Sequence, residues 1–220
     1  MNANSVEAES KSSNSTSAQP SVYLGVLFAL GLSHLLNDTV QSLVPAVYPI
    51  LKTSFALDFT KIGMITLTFQ IAVALFQPVI GLYTDRHPLP YSAAFGMIFT
   101  FAGVASLAYA PSYLIILISV ALIGIGSSIF HPEATRSARY ASGGRQGLAQ
   151  GIFQVGGQIG GALGPLAAAF LIVPQGQRSL ILFVGCALLA MALLTWTARQ
   201  QTEIRANFSA FSHKIRSDGK

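Results

Sequence analysis

Hydrophobic residues occur in long uninterrupted runs along most of this chain, and short polar stretches separate the runs. An α-helix needs about 20 apolar residues to cross about 30 Å of hydrocarbon. Six runs approach that length, and the short connections between them predict antiparallel helices packed side by side. The predicted spans are Val22–Leu51, Lys61–Tyr83, Tyr91–Ala110, Tyr113–Ala134, Leu148–Val173 and Leu180–Ala198.

The composition also indicates a membrane protein. Hydrophobic residues make up 52% of the 220 positions and charged residues only 10%, whereas soluble domains carry about 25% charged residues. Because the runs are continuously apolar and do not alternate with polar residues, helices are favoured over membrane strands. We therefore expect an all-α membrane protein with a disordered cytoplasmic tail at 1–20, a six-helix transmembrane domain at 21–199 and a cytoplasmic linker or tail at 200–220.

The distribution of Lys and Arg predicts the orientation in the membrane, since positively charged loops are retained in the cytoplasm. Three of these residues, Lys52, Lys61 and Arg178, fall on one side of the predicted spans, and the others fall on the side that holds both termini. Both termini are therefore expected to be cytoplasmic. Membrane insertion accounts for the formal net charge of +5, so we expect a lipid bilayer as partner and no nucleic acid.

A glycine series interrupts the fifth apolar run at Gly151, Gly160 and Gly164, and Pro165 follows directly. Each such glycine would weaken a water-soluble helix by about 1 kcal/mol. In lipid the same residues let helix backbones approach closely. The series therefore predicts a helix that packs tightly and can act as a hinge.

The first predicted span carries polar residues at i, i+3, i+4 and i+7, which places them on one helical face. They are His34, Asn37, Asp38 and Gln41. Because an ionisable residue inside a span is costly, this face is expected to line a cavity. Asp38 could exchange a proton or neutralise a cationic group, but it could also serve as a structural hydrogen-bond acceptor. His34 could relay protons or only join two helices.

The fourth predicted span ends in a polar group that contains His131, Glu133 and Arg136. His131 and Glu133 are two residues apart and would not share a face of a regular helix, whereas Glu133 and Arg136 can pair. Either His131 and Glu133 line a substrate path, with Glu133 as a proton carrier and Arg136 as its partner or an anion contact, or Glu133 and Arg136 form a salt bridge that stabilises one conformation. No spacing indicates a metal site or a hydrolytic triad, so we expect no metal, no cofactor and no enzyme activity.

A short turn between the second and third spans contains Gly81, Asp85 and Arg86. Gly81 would permit close helix packing, and Asp85 could meet a helix N-terminus or a nearby arginine. A contact of that kind, broken and re-formed in each cycle, would act as a latch.

These motifs resemble signatures of the major facilitator superfamily. Gly81, Asp85 and Arg86 are similar to its loop motif G-x-x-x-D-R, and the series from Gly151 to Gly164-Pro165 resembles its antiporter motif. Three further segments resemble the fosmidomycin-resistance branch of that superfamily. They are His34-Leu35-Leu36-Asn37-Asp38, Ser127-Ser128-Ile129-Phe130-His131-Pro132-Glu133-Ala134 and Phe153-Gln154-Val155-Gly156-Gly157.

The resemblance implies a bacterial inner-membrane protein that exports a small phosphonate drug by proton antiport and alternating access. It implies one half of the superfamily fold, built as a 3+3 inverted repeat that binds substrate against a second six-helix half. Substrate or protons would meet His34, Asn37, Asp38, Gln41, His131, Glu133, Gln154 and Gln158, and the gating residues would be Gly81, Asp85, Arg86, Arg136, Gly151, Gly160, Gly164 and Pro165.

The chain departs from the superfamily pattern in two motifs and in length. His87-Pro88-Leu89-Pro90 replaces the usual glycine and basic residues of the loop, and a His-Pro-Glu stretch replaces an arginine-led motif in the fourth span. The chain has the length of an amino-terminal half. It could be a truncated product, one subunit of a split transporter or a half that pairs with itself, and the first two are favoured. The alternative function is a non-transporting remnant or an assembly partner.

Overall fold

The computed structural model of the protein describes residues 21–87 and 89–218, and these residues form helices and short turns with no strand. The predicted disordered tail at 1–20 lies outside the described residues. The first five helices among the described residues are α1 (Leu24–Ala46), α2 (Tyr48–Ser54), α3 (Phe59–Arg86), α4 (Ser92–Ala108) and α5 (Tyr113–Ala141). They are followed by α6 (Gln146–Ala167), α7 (Val173–Gln175) and α8 (Val184–Asp218).

The first predicted span is divided into α1 and α2 at Val47. Pro45 lies in the last turn of α1 and Pro49 in the first turn of α2. A proline has no peptide N–H to donate to the preceding turn, and it clashes with the carbonyl four residues earlier. The two prolines therefore account for the break. The next helix, α3, begins after Asp58, whose carboxylate accepts a hydrogen bond from the Lys61 peptide N–H at 2.7 Å.

The helix that carries the glycine series changes its winding after Pro165. Residues Ala168–Ile172 form a π-helical turn between α6 and α7, a local widening that is common where a proline disturbs the hydrogen-bond ladder. A 3₁₀ segment, Gln177–Phe183, then leads into α8. Because α8 continues to Asp218, the backbone of the predicted linker is helical from 200 to 218, and its role as a linker stays a prediction.

Within the described part of the chain, four helical stretches are long and apolar enough to cross a membrane. They are Phe59–Arg86, Tyr113–Ala141, Gln146–Gln175 and Gln177–Ala206. The other two predicted spans differ for identifiable reasons. The helix α4 has only 17 residues, about 25 Å of helix, and α1 carries the polar face that includes His34 and Asp38.

The helix contacts follow the pattern of an internal repeat. The helix α1 packs mainly against α6, and the corresponding contact in the other unit is that of α5 with α3. In the same way, the contact of α4 with α5 corresponds to the contact of α8 with α1. The correspondence follows when α1, α3 and α4 are matched in order to α5, α6 and α8, because each contact then maps onto its counterpart. This is the arrangement expected for one half of the predicted fold, with two three-helix units.

Two hydrophobic clusters form the core, one toward each end of the bundle. The first contains Leu27, Met97 and Phe130. The second contains Leu43 and Leu51 together with residues of α3, α4 and α5. Along α1 the polar residues from His34 to Asp38 fall between the two clusters, so they lie near the middle of the bundle.

Close approach between α1 and α6 depends on glycine. A Cβ atom at Gly156 or Gly160 would overlap a backbone carbonyl oxygen of α1, and one at Gly164 would overlap the Ser42 hydroxyl. Gly151 differs from the rest of the series, because no neighbour lies within 4 Å of the position a Cβ would take there. Among the three predicted glycines, the close contact with α1 therefore requires Gly160 and Gly164, and it does not require a glycine at position 151.

Candidate functional site

The polar face of α1 meets α5 and α6 near the middle of the bundle. His34 and Asn37 are buried, whereas the side chains of Asp38 and His131 keep 25% and 24% of their surface exposed. We call His34, Asn37, Asp38, Gln41 and His131 the Asp38 cluster. The four α1 residues share this site, as their spacing predicted, and His131 joins them from α5.

Hydrogen bonding assigns the proton position on the His34 ring. The Nδ1 atom lies 2.8 Å from the carbonyl oxygen of Phe153, and a carbonyl can only accept. Nδ1 is therefore protonated, and in a neutral imidazole the other nitrogen, Nε2, carries a lone pair. The Phe153 ring also stacks on the imidazole with 4.0 Å between ring centroids. Both contacts fix the direction in which Nε2 points.

The His34 Nε2 atom lies 3.2 Å from Oδ2 of Asp38. A neutral imidazole and an ionised carboxylate would place two lone pairs opposite each other at that distance. A proton on either atom, or another cation between them, converts this repulsion into attraction. The geometry of the pair is therefore that of a site for a proton or a small cation.

The second oxygen of Asp38 accepts hydrogen bonds from the amides of Asn37 and Gln41, at 3.1 and 3.0 Å, and lies 3.8 Å from His131 Nε2. Gln41 is held in turn by the Ser127 hydroxyl, which donates to its side-chain oxygen at 3.0 Å. The buried Oδ1 of Asn37 has no hydrogen-bond partner among the described residues. The cluster thus retains unused acceptor capacity beside the carboxylate.

A cavity of about 280 Å³ adjoins the cluster. Asp38 and Gln41 line it together with Ser42, Tyr48, Thr66 and Gln70 from α1, α2 and α3. Val44, Pro45, Phe69 and Gly161 complete the lining, so the wall of the cavity is partly apolar. The cavity nevertheless places Asp38 and Gln41 beside a space that a small ligand can occupy.

A second polar group, the Arg136 network, lies where α5 passes the end of α3. The guanidinium of Arg136 contacts Glu133 at 2.8 Å and Asp85 at 2.5 Å. It also donates to the backbone carbonyl and the hydroxyl of Thr84, each at 3.0 Å. A planar guanidinium has five donors in a fixed arrangement, and here several of them are used at once.

Glu133 and His131 belong to different sites, as their spacing on α5 predicted. Glu133 is buried and paired with Arg136, whereas His131 points to the Asp38 cluster. The geometry thus contains the Glu133–Arg136 pair, which both sequence interpretations allowed. Asp85 meets an arginine, one of the two partners considered for it.

The remaining predicted residues lie apart from both groups. Gln154 and Gln158 are exposed on α6, and neither forms a hydrogen bond to the Asp38 cluster among the described side chains. Arg86 is exposed and forms no ion pair with the described residues. A Cβ at Gly81 would lie 3.9 Å from Pro132, an ordinary contact, so this glycine is not required for packing.

Sequence reasoning did not identify Ser127, Thr84 and Gly157 as site residues. Ser127 holds Gln41, Thr84 binds Arg136, and a Cβ at Gly157 would overlap the His34 ring. Ser127 and Gly157 lie inside the segments that carried the family resemblance, which was the available signal. Sequence spacing also indicated no metal site, yet ligand atoms of His34, Asp38 and His131 lie within 4.8 Å of one another.

The helix arrangement is that expected for one half of a two-part helical membrane fold, and comparison with known families agrees. The Major Facilitator Superfamily matches this chain over residues 30–216. The chain therefore belongs to the major facilitator superfamily, and it is a multi-pass membrane protein.

The chain is similar in sequence to a curated resistance protein and to a curated, uncharacterized transporter. It is 54% identical over 175 residues to the fosmidomycin resistance protein of Escherichia coli (strain K12), covering 80% of this chain and 43% of that protein. It is 44% identical over 174 residues to YfnC, an uncharacterized MFS-type transporter of Bacillus subtilis (strain 168), covering 79% of this chain and 42% of the relative. The chain thus spans less than half the length of the curated relatives it matches.

Proposed function

We propose that this chain is the amino-terminal half of a proton-coupled drug exporter. In this proposal the substrate is a small anionic molecule related to fosmidomycin, exported from the bacterial cytoplasm by alternating access. A second six-helix half supplies the opposite wall of the substrate path, and both termini are cytoplasmic. The first support is the 54% identity with the E. coli fosmidomycin resistance protein.

The observation that carries the proton coupling is the contact between His34 and Asp38. Since His34 already donates through Nδ1 to the Phe153 carbonyl, its Nε2 and the Asp38 carboxylate attract each other only when a proton or another cation lies between them. Uptake of that proton favours the contact, and its release breaks it. His34 and Asp38 both lie on α1, and the other nitrogen of the His34 ring bonds to Phe153 of α6. A movement of the His34 ring on proton exchange would therefore change the packing of α1 against α6.

The Arg136 network would hold one conformation of the cycle. The Asp85 side chain is 64% exposed, whereas the side chain of Glu133 is only 2% exposed. We propose that Glu133 and Arg136 stay paired throughout the cycle and that Asp85 leaves the arginine when α3 moves. The close glycine contacts between α1 and α6 then define the surface on which the helices rock.

An exposed apolar groove supports the proposed second half. The groove runs between α1 and α6, has a volume of about 640 Å³, and is lined by Phe28, Leu32, Leu35, Leu148, Val155 and Ile159. The exposed Gln154 and Gln158 lie on the same helix. A partner half would cover this groove and bring the two glutamines into the substrate path.

The test is drug susceptibility in E. coli cells that lack their own fosmidomycin resistance protein. The cells express this chain alone, or this chain with the carboxy-terminal half of that protein, and membrane insertion is confirmed in both. Resistance only with the partner is expected, and Asp38→Asn should abolish it. Asp58→Asn is the matched control, because Asp58 is an exposed helix cap far from the cluster and asparagine caps equally well.

Three results would contradict parts of the proposal. Resistance retained by Asp38→Asn would exclude Asp38 as the proton carrier. Resistance from the chain alone would exclude the need for a second half. Susceptible cells in every case, despite insertion of both halves, would contradict export and favour a non-transporting remnant. Drug-dependent proton release from vesicles then tests the coupling directly.

A further inference from the structure

We propose that His34, Asp38 and His131 form a binding site for a divalent transition-metal ion of the zinc type. The site draws both imidazoles and the carboxylate from two helices, α1 and α5, that are separated by about 90 residues along the chain. Zinc bound there would link these helices. This inference concerns equilibrium binding, so it does not depend on whether the chain transports anything.

The three side chains offer a ligand set that suits zinc. Two imidazole nitrogens and one carboxylate oxygen are a common protein ligand set for zinc when one coordination position stays open. The two imidazole rings lie edge to face with 5.2 Å between their centroids. His34 Nε2 faces one oxygen of Asp38, and His131 Nε2 lies 3.8 Å from the other oxygen and 3.4 Å from the Gln41 amide nitrogen. An ion shared by the three side chains would replace the Gln41 amide as the partner of His131 Nε2.

The spacing of the ligand atoms is close to what a tetrahedral ion requires. Bonds of about 2.0–2.2 Å place two tetrahedral ligand atoms about 3.3–3.6 Å apart. His34 Nε2 lies 3.2 Å from one carboxylate oxygen, and His131 Nε2 lies 3.8 Å from the other. All the ligand atoms lie within 4.8 Å of one another, so the partly exposed His131 must move closer to complete a tetrahedral set.

Groups outside the ligand set already hold the ligands in the orientation that a metal needs. Metal-binding histidines usually donate their second ring N–H to a carbonyl or carboxylate, and His34 donates Nδ1–H to the Phe153 carbonyl at 2.8 Å. The amides of Asn37 and Gln41 donate to Asp38 Oδ1, and Ser127 fixes Gln41. These bonds leave the His34 lone pair directed at Asp38.

Two observations point to a missing positive group at this position. The His34 lone pair and the Asp38 carboxylate repel each other unless a cation lies between them, and a metal ion satisfies both as well as a proton does. In addition, the buried Oδ1 of Asn37 has no partner among the described residues. The adjoining cavity of about 280 Å³ gives an ion and its remaining ligand access to the carboxylate.

Cobalt and zinc titrations of the purified full chain test the site. The protein is purified in detergent with a tag that contains no histidine, and Co²⁺ is added because its visible absorption reports four- or five-coordination. We expect one saturable Co²⁺ site per chain, displaced by Zn²⁺ and not by Mg²⁺. His131→Gln, His34→Gln and Asp38→Asn should each weaken binding by about 100-fold or more, since loss of an outer hydrogen-bond partner alone costs about 10–100-fold.

The matched control is His87→Gln. His87 is exposed at the end of α3, where its ring stacks on Tyr83, so the variant should bind like the natural chain. Because the buried His34 could be needed for folding, helix content is measured for every variant, and the partly exposed His131 gives the decisive comparison. The proposal is overturned if no saturable Co²⁺ spectrum develops, or if folded His131→Gln protein binds Co²⁺ and Zn²⁺ as tightly as the natural chain.

Discussion

The Asp38 cluster and the Arg136 network both use side chains of α5, yet they differ in how their charges are balanced. In the Arg136 network a permanently charged guanidinium lies against two carboxylates and a threonine. In the Asp38 cluster the carboxylate faces two imidazoles whose charge depends on bound protons. The first arrangement needs no exchangeable ion, whereas the second is attractive only after a cation has been added.

The difference shows how one helix can serve two purposes. His131 and Glu133 are two residues apart, so α5 directs them to different neighbours. The Arg136 side is expected to stabilise the fold. The Asp38 side is expected to respond to ligands, because its side chains are partly exposed to a cavity and its polar groups are incompletely paired.

Removal of the guanidinium should have the largest effect on stability. Arg136→Gln leaves the buried Glu133 carboxylate without its partner, and loss of one member of a buried ion pair costs about 3–5 kcal/mol. The measurement is the free energy of unfolding in detergent. The double variant Glu133→Gln with Arg136→Gln should recover most of the loss, since it leaves no buried charge. Equal losses in the single and double variants would contradict this account.

A methyl group at Gly157 should disturb the Asp38 cluster from the side of α6. Gly157→Ala places a Cβ into the His34 ring, and overpacking of this kind costs about 1–3 kcal/mol. Gly161→Ala is the matched control one turn later, because nothing lies within 4 Å of its Cβ position. Because alanine favours a helix over glycine by about 1 kcal/mol, the control should be at least as stable as the natural chain in thermal unfolding. A Gly157→Ala variant as stable as the control would contradict the close contact with His34.

Loss of the Ser127 hydroxyl should affect the same cluster more weakly. Ser127→Ala removes the donor that holds Gln41, and one hydrogen bond contributes about 0.5–1.5 kcal/mol. The neighbouring Ser128→Ala is the control, since the Ser128 hydroxyl donates only to the backbone of its own helix. If the Ser128 variant loses as much stability as the Ser127 variant, Gln41 is not held by Ser127.

The smallest effect is expected at the exposed edge of the Arg136 network. Asp85→Asn removes a carboxylate whose side chain is 64% exposed, and exposed ion pairs contribute only about 0–1 kcal/mol. Unfolding measured at low and high salt should give nearly the same small difference, with the low-salt value slightly larger. A loss comparable to that of Arg136→Gln would mean that Asp85 is part of the structural pair and not a releasable contact.

Several features of the fold could be predicted from the chain alone because they depend on local chemistry. Long apolar runs predicted helices of membrane length. Pro45 and Pro49, which a continuous helix does not tolerate well, lie on either side of the break at Val47. Helical spacing also placed His34 and Asp38 on one face and allowed Glu133 and Arg136 to pair. Each of these predictions concerns residues within a few turns of one another.

Other features of the fold and the site could not be predicted from the sequence. The glycine series appeared uniform in sequence, but a Cβ atom at Gly160 would overlap the backbone of α1, whereas the Cβ position at Gly151 has no neighbour within 4 Å. The two glutamines of α6 were placed with the substrate residues, and the structure leaves them exposed and apart from Asp38. Periodicity identifies a polar or small face, but the rotation of a helix against its neighbours decides which members of that face make contact.

The sequence by itself determined that this protein is a helical membrane protein and which side chains share a turn of helix, since hydropathy and the 3.6-residue period are properties of the local chain. Only the tertiary structure decided that His131 meets Asp38, that the Phe153 carbonyl orients His34, and that Arg136 reaches Asp85. These partners are 51 to 119 residues apart along the sequence. Helix packing brings them together, and no local pattern encodes that packing.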